Sequence, residues 1–239
     1  MTDEAIVLAG GLGTRLRSVV QDVPKPMAEV AGRPFLDFIL YNLKKNNIKK
    51  VVFAVGHKHE VIQEYYRDKS KSFGIEIAYS IETELLGTGG AIFQAAQQTQ
   101  NESFFILNGD TFFDVDLAAL SEFAQERAAD LAMALKVMPL SDRYGSVVCS
   151  PDGEIVSFKE KELGVKQDLL INGGVYHLKK KVVESSAMPK KFSFETDFLQ
   201  RELSKFRAYG KSFDGTFIDI GIPEDYQYAQ TLLKDAIQK

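Results

Sequence analysis

The 239-residue sequence has one cysteine, three histidines, no excess of basic charge and no apolar run long enough to cross a bilayer. Each scarcity removes a class of protein. A single thiol, Cys149, forms no disulfide within the chain, so the sequence is not a stapled extracellular scaffold. It lies in the apolar run Ser146-Val147-Val148-Cys149, which predicts a buried structural thiol rather than a nucleophile. Without about 20 consecutive apolar residues there is no candidate membrane helix. The formal net charge of −4 argues against a nucleic-acid backbone as partner, although it leaves room for a locally basic pocket. His57 and His59 flank Lys58 and resemble a metal pair, but no third ligand accompanies them. A solvated loop leading into a helix is the simpler reading. No Ser-His-Asp or Cys-His signature is found. No basic, signal-like segment opens the chain, and the expected location is cytoplasmic.

What remains is an ordinary globular composition, 45% hydrophobic and 26% charged. At this length one domain spanning 1–239 is expected. Its organising stretch is Ile6-Val7-Leu8-Ala9-Gly10-Gly11-Leu12-Gly13-Thr14-Arg15-Leu16-Arg17, with Pro24-Lys25-Pro26-Met27 downstream. Ile6 to Ala9 reads as a buried strand. Glycines directly after it let backbone N–H groups close around phosphate oxygens with no Cβ in the way. Thr14 supplies a hydroxyl, and Arg15, Arg17 and Lys25 supply cations. The stretch reads as a triphosphate cradle, against the plainer alternative of a glycine-rich turn that binds nothing. It is not a Walker A loop, because Thr14-Arg15 follows Gly13 where Lys-Ser/Thr is needed. Nor is it a dinucleotide fingerprint: Leu16 stands where the third glycine belongs, and no acid ends the second strand at Val55-Gly56-His57.

Further along, Pro34 is expected to begin a helix with Phe35, Leu36, Phe38, Ile39, Leu40 and Leu43 on its apolar face. Lys49 to Val55 reads as a strand, His59 to Asp68 as a helix and Ile75 to Ile81 as a strand. Gly87-Thr88-Gly89-Gly90 is expected to open a helix over Ala91 to Gln98, and Phe104 to Leu107 is a strand ending at Asn108-Gly109-Asp110. This rhythm predicts an α/β fold, a Rossmann-like doubly wound and mostly parallel sheet. Ligands of such sheets lie beyond the carboxyl ends of the strands, where the glycine loop, Glu82 to Thr88 and Asp110 all fall. The second half is less regular. Asp116 to Arg127 reads as a helix, Leu131 to Val137 as a strand, and Ser146 to Val148 with Ile155 to Lys161 as an antiparallel pair across Pro151-Asp152-Gly153. Leu169 to Tyr176 is a strand with internal glycines, Phe194 to Leu203 a helix, Phe217 to Ile220 a strand, and Pro223 starts a last helix.

Leu-Ala-Gly-Gly-Leu-Gly-Thr-Arg-Leu followed by Pro-Lys-Pro-Met resembles the signature of the sugar-nucleotidyltransferases, the nucleoside-diphosphate-sugar pyrophosphorylases. The whole chain is most similar to their D-glycero-α-D-manno-heptose 1-phosphate guanylyltransferase branch. The resemblance implies nucleotide contacts from Leu8, Ala9, Gly10, Gly11, Gly13, Thr14, Arg15 and Lys25. It matches Glu82 to Gly90 to the base-reading loop, with Glu82, Gly87 and Thr88 on the nucleotide. Asp110 matches the family's Gly-Asp metal site and Asp219 is its second carboxylate. Two carboxylates are what a phosphate-bound Mg²⁺ usually takes from protein. The plainer alternatives are a turn former for Asp110 and a helix cap for Asp219, with Asp114 and Asp116 as loop and cap residues. Tyr144, Gly145, Glu160, Lys161, Asn172 and Gly173 match the sugar-phosphate side, which the small antiparallel part would carry. For Glu160 and Lys161 a charged surface end is the competing reading.

The implied reaction joins GTP and D-glycero-α-D-manno-heptose 1-phosphate into GDP-heptose and pyrophosphate, for surface glycan synthesis. Arg15, Lys25, Asp110 and Lys161 would be its catalytic groups and Mg²⁺ its cofactor. An ionised Glu82, which only accepts hydrogen bonds, suits the N1–H and N2–H₂ of guanine. Another sugar 1-phosphate remains an alternative, with GTP and mannose 1-phosphate or UTP and an amino sugar. So does a non-catalytic sugar-nucleotide sensor on the same fold. No membrane or nucleic-acid partner is expected, and a homo-oligomer is left open.

Overall fold

The computed structural model describes residues 2–11, 16, 23–138, 145–159 and 168–234. The first half runs β1 (Glu4–Leu8), a 3₁₀ turn (Lys25–Met27), β2 (Glu29–Val30), β3 (Arg33–Pro34), α1 (Phe35–Lys45), β4 (Lys50–Val55), α2 (His59–Tyr66), α3 (Ser70–Phe73), β5 (Glu76–Ile81), α4 (Gly87–Ala96) and β6 (Ser103–Asn108). The second half runs β7 (Thr111–Phe113), α5 (Leu117–Glu126), β8 (Leu131–Met138), β9 (Ser146–Cys149), β10 (Ile155–Lys159), β11 (Leu169–Lys179) and α6 (Lys180–Ser185). A π-helical turn (Phe194–Gln200), a 3₁₀ turn (Leu203–Lys205), β12 (Ala208–Ser212), β13 (Phe217–Asp219) and α7 (Pro223–Leu232) complete it.

Seven strands form one sheet in the order β12-β8-β11-β6-β1-β4-β5. Strands β6, β1, β4 and β5 are mutually parallel, and β12 is parallel to β8. Only β11 runs against its neighbours, β6 and β8. The inner strands are apolar at consecutive positions because successive side chains enter opposite faces and both faces are covered. Ala5 and Val7 join Phe35, Leu36, Ile39 and Leu43 of α1 on one face. Ile6 joins Ile92 and Ala95 of α4, and Phe194 and Phe198, on the other. Among the described residues no helix is long and apolar enough to cross a membrane.

The expected mostly parallel α/β sheet and the β9–β10 antiparallel pair are both present. Four local expectations change. Pro34 does not begin α1; it pairs with Glu29 as the end of β3 and occupies the position before the helix, with ψ 140°. Gly87 to Gly90 do not precede α4 but make its first turn. The strand from Leu169 extends to Lys179 and enters the main sheet, with a bulge between Asn172 and Tyr176. The helix expected from Phe194 to Leu203 is a π-helical turn over Phe194–Gln200, and Leu203 begins a separate 3₁₀ turn. Cys149 is half-buried, with its thiol pushed up by burial, as suits a structural residue.

His177 on β11 gives the core a pH-dependent component. Its ring is buried, Nε2 lies 3.0 Å from Ser103 Oγ, and Nδ1 has no partner among the described residues. Burial, reinforced by the Lys179 charge, holds its pKa down to about 4. The unfolded chain, with an ordinary value near 6.5, takes up this proton first. The neutral ring therefore contributes its full stability above about pH 6.5, and this is lost as pH falls toward about 4. The loss approaches about 3 kcal/mol. Urea midpoints at pH 7 and pH 4.5 are expected to show it, with a smaller drop for His177→Gln. Equal drops in both proteins would remove His177 as the cause.

Candidate active site

The parallel strands β1, β4 and β6 end level, with Leu8 beside both Ala54 and Asn108. Beyond this edge the Gly109 N–H donates to the Leu8 carbonyl at 2.9 Å, which turns Asp110 over the end of the sheet. Asp219 arrives from the far end of the sequence. Strand β13 pairs antiparallel with β7, setting Asp219 opposite Thr111, and the Ile220 N–H donates to the Asp110 carbonyl at 3.0 Å. One short antiparallel ladder thus brings the two carboxylates together.

Lys25 stands between them. Its Nζ lies 2.6 Å from Asp110 Oδ2 and 3.8 Å from Asp219 Oδ1, and its side chain is only 10% exposed. Pro24 and Pro26 explain its fixed position. The Met27 N–H donates to the Pro24 carbonyl and the Ala28 N–H to the Lys25 carbonyl, closing a 3₁₀ turn whose Met27 and Ala28 are buried. The ammonium charge offsets repulsion between two acids that are 37% and 30% exposed.

Two clefts of about 440 and 450 Å³ meet at this centre. Leu8, Gly11, Lys25, Thr88 and Asp110 line the first. Gly145, Asn172, Gly173, Phe158 and Gln200 line the second. Asn108, Thr111, Glu195 and Asp219 line both. The nucleotide-side and sugar-side candidates therefore fall in separate, adjoining spaces. Gly13, Thr14, Arg15, Arg17, Tyr144, Glu160 and Lys161 lie outside the described residues.

Not every candidate faces a cleft. Ala9 is 1% exposed and packs into the core. Glu82 lines neither cleft; its Oε2 accepts the Leu86 N–H at 3.1 Å. Its Oε1 lies against Gly10, where a Cβ would come within 2.6 Å of it and 3.1 Å of the Gly56 backbone nitrogen, so glycine suits this close approach. Burial pushes the Glu82 carboxyl up, opposed by the Leu86 N–H. Gly87 has φ +71°, and a Cβ there would meet the Phe192 carbonyl at 2.5 Å. It serves a seam: Gly89 N–H donates to Phe192 O, Phe192 N–H to Leu86 O, and Phe194 N–H to Thr88 Oγ1 at 2.9 Å.

The competing acids have other work. Asp114 pairs with Lys45 at 2.9 Å, and Asp116 caps α5 by accepting the Ala119 N–H. Asp219 does not cap α7, whose first turn has no side-chain cap; it accepts the Gly221 N–H at 2.6 Å. His59 opens α2 with Nδ1 beside the Gly56 carbonyl at 3.2 Å. No cluster of three or more His, Cys, Asp or Glu residues suited to a metal occurs among the described residues. Among the described residues, Asp110 and Asp219 are the carboxylates that flank Lys25 and would hold a cation at the junction. Two partly exposed carboxylates flanking one cation fit a hard ion such as Mg²⁺ whose remaining ligands are phosphate and water.

Sequence reasoning missed Glu195. It opens onto both clefts, and its Oε1 lies 3.4 Å from both the Tyr176 hydroxyl and Asn172 Nδ2. Burial pushes its carboxyl up, and the Asp110 and Asp219 charges add to this against the Tyr176 hydrogen bond. In Phe194-Glu195-Thr196 it reads as one polar position on an amphipathic helix, and no local signal marks it.

The fold and this centre define a class. The nucleotidyl transferase family model matches residues 4–236, and the chain belongs to that family. D-glycero-α-D-manno-heptose 1-phosphate guanylyltransferase of Campylobacter jejuni is 48% identical over 225 residues, 94% of this chain and 97% of the relative. Its namesake in Aneurinibacillus thermoaerophilus is 47% identical over 234 residues, 98% of this chain and 100% of the relative. The crystal structure of HddC from Yersinia pseudotuberculosis complexed with GMP-PN is 35% identical. It superposes with a TM-score of 0.84 over 95% of this chain and 98% of that one.

Proposed function

We propose that this protein transfers the guanylyl group of GTP to D-glycero-α-D-manno-heptose 1-phosphate, forming GDP-heptose and releasing pyrophosphate. The observation that carries nucleotidyl transfer is the Lys25–Asp110–Asp219 centre at the junction of two clefts. Guanine and heptose follow from the two relatives that match nearly end to end. Retention of the lysine and both acids favours an enzyme over a sensor on the same fold.

In this reading an oxygen of the sugar phosphate attacks the α-phosphorus of GTP. The bond from that phosphorus to the bridging oxygen breaks, and pyrophosphate leaves on the opposite side. The nucleophile is already ionised at neutral pH, so no proton must be removed and no covalent enzyme intermediate is needed. Catalysis is positioning and charge stabilisation. Lys25 offers its ammonium to the triphosphate, with Arg15 from the glycine loop. Asp110 and Asp219 would hold Mg²⁺, which when bound supplies countercharge to the phosphate oxygens. Lys161 receives the sugar phosphate, so that two anions can approach with separate countercharges. Glu160, Asn172, Gly145, Tyr144 and Gly173 take the sugar side.

The test is pyrophosphate release with four nucleoside triphosphates against a panel of sugar 1-phosphates. GTP with D-glycero-α-D-manno-heptose 1-phosphate is expected to give the highest kcat/KM. A preference for UTP, or for mannose 1-phosphate, would overturn the assignment within the family. No release from any pair would overturn the enzyme reading itself.

Base choice gives a separate prediction. Glu82 anchors the loop through Leu86 and touches Gly10, so it couples the base-reading segment to the glycine loop. Glu82→Gln replaces an acceptor by a donor facing the donors of guanine, a mismatch of about 1–3 kcal/mol. The ratio of kcat/KM for GTP over UTP is expected to fall about tenfold or more, with a smaller change in maximal rate. An unchanged ratio would remove Glu82 from the base edge.

A further inference from the structure

The reaction described above leaves Glu195 without a role, although it lines both clefts. Asp110 and Asp219 stand beside Lys25, whereas Glu195 has no cation partner among the described residues. The hydrogen-bond directions around it follow from counting donors. Asn172 Nδ2 donates to the Tyr176 hydroxyl oxygen at 2.6 Å, which leaves the hydroxyl hydrogen to donate to Glu195 Oε1 at 3.4 Å. Asn172 Oδ1 is occupied by the Gly174 N–H at 2.9 Å. Glu195 Oε2 has no hydrogen-bond partner among the described residues, and it is the acceptor this network leaves over.

The support around Glu195 is rigid. Ser193 N–H donates to Asp197 Oδ2 at 2.8 Å, Thr196 N–H donates to Ser193 Oγ, and Phe194 N–H is held by Thr88. The Phe194 ring packs edge-on against Tyr176, with centroids 5.2 Å apart. A carboxylate without a countercharge repels phosphate oxygens, which are acceptors with negative charge, and takes neutral donors. Thr196 and Gln200, on the same turn, line the second cleft, as Asn172 does.

We propose that Glu195 is a specificity-determining residue whose free oxygen accepts a hydrogen bond from a ring hydroxyl of the sugar phosphate. Tyr176 and Asn172 are positioning residues that hold its other oxygen. This rests on the second cleft taking the sugar phosphate, as proposed above.

The test compares wild type, Glu195→Gln and Tyr176→Phe in steady-state kinetics with GTP and D-glycero-α-D-manno-heptose 1-phosphate. For Glu195→Gln the KM for the sugar phosphate is expected to rise about tenfold, with kcat changed less and the KM for GTP unchanged. Tyr176→Phe should move the same constant in the same direction by less. A sugar phosphate lacking the contacted hydroxyl should lose kcat/KM with wild type and lose nothing further with Glu195→Gln. An unchanged KM for the sugar phosphate, or an equal rise in the KM for GTP, overturns the proposal; the latter would put Glu195 on the ribose. Should Glu195→Gln fail to fold, Glu195→Asp carries the same comparison, since it shortens the reach and keeps the charge. Should wild type show no transfer, the functional reading fails, and calorimetric titration of the heptose 1-phosphate into wild type and Glu195→Gln still decides this one. About tenfold weaker binding to the variant supports it; equal binding, or none to wild type, overturns it.

Discussion

Asp110→Asn and Asp219→Asn are each expected to lower kcat by on the order of a hundredfold or more while the protein stays folded. The ladder between β7 and β13 is made by backbone, and Asp110 contributes only its carbonyl to it, so an amide leaves that contact intact. What is lost is one of the two negative charges that flank Lys25 in the first cleft. Among the described residues no group of three or more His, Cys, Asp or Glu is placed to hold a metal, so losing one of this pair leaves a poor site for a divalent cation. Raising the Mg²⁺ concentration should recover part of the rate, because the defect is in affinity as well as in charge. Activity and thermal melting measured together separate this from misfolding. A folded variant with near wild-type turnover at limiting Mg²⁺ would show that its residue is not a ligand.

Lys25→Ala should be as damaging, and on a different constant from Lys161→Ala. Lys25 is held by a proline-flanked turn with its ammonium 2.6 Å from Asp110, inside the first cleft. Its removal takes away a cation beside the triphosphate and leaves two acids facing each other. GTP binding or the chemical step should suffer by roughly a hundredfold, since a charge-assisted contact contributes about 1.5–3 kcal/mol. Some loss of thermal stability should accompany it; the acids are about one-third exposed, so solvent screening keeps this small. Lys161→Ala should instead raise the KM for the sugar phosphate and leave GTP affinity in place. Calorimetry of GTP with Mg²⁺, set beside steady-state kinetics, distinguishes the two. If Lys161→Ala loses GTP affinity while its KM for the sugar phosphate is unchanged, the two lysines have been assigned the wrong way round.

The parallel half of the fold was legible because its signals are local. Apolar runs such as Val51 to Val55 and Phe104 to Leu107 fill strands buried on both faces, and the residues after them fall at one edge by topology. The second half was harder for a physical reason. Strand β11 belongs to the main sheet but runs against it, and its Gly173-Gly174 pair marks the bulge between Asn172 and Tyr176. Pairing partners so distant in sequence leave no periodic trace in either segment. Strand β12 was missed because Ala208-Tyr209-Gly210-Lys211-Ser212 has little β-rich or alternating character. At the site, Asp110 and Lys25 stood out by motif. The seam between Leu86–Gly89 and Phe192–Phe194 did not, because most of its bonds are backbone to backbone and make no demand on side-chain identity. Gly87 and Glu82 also make contacts within the fold, to Phe192 and to Leu86 and Gly10, that no local pattern marks.

The central claim is that the α-phosphorus of GTP passes to a sugar phosphate at the junction of the two clefts. It is tested most directly by one turnover with GTP labelled at the α-phosphate, D-glycero-α-D-manno-heptose 1-phosphate and Mg²⁺, with the products separated. The account predicts that the label appears in a nucleoside-diphosphate sugar in step with unlabelled pyrophosphate. Label remaining in GTP, released as free GMP or attached to the protein would contradict it.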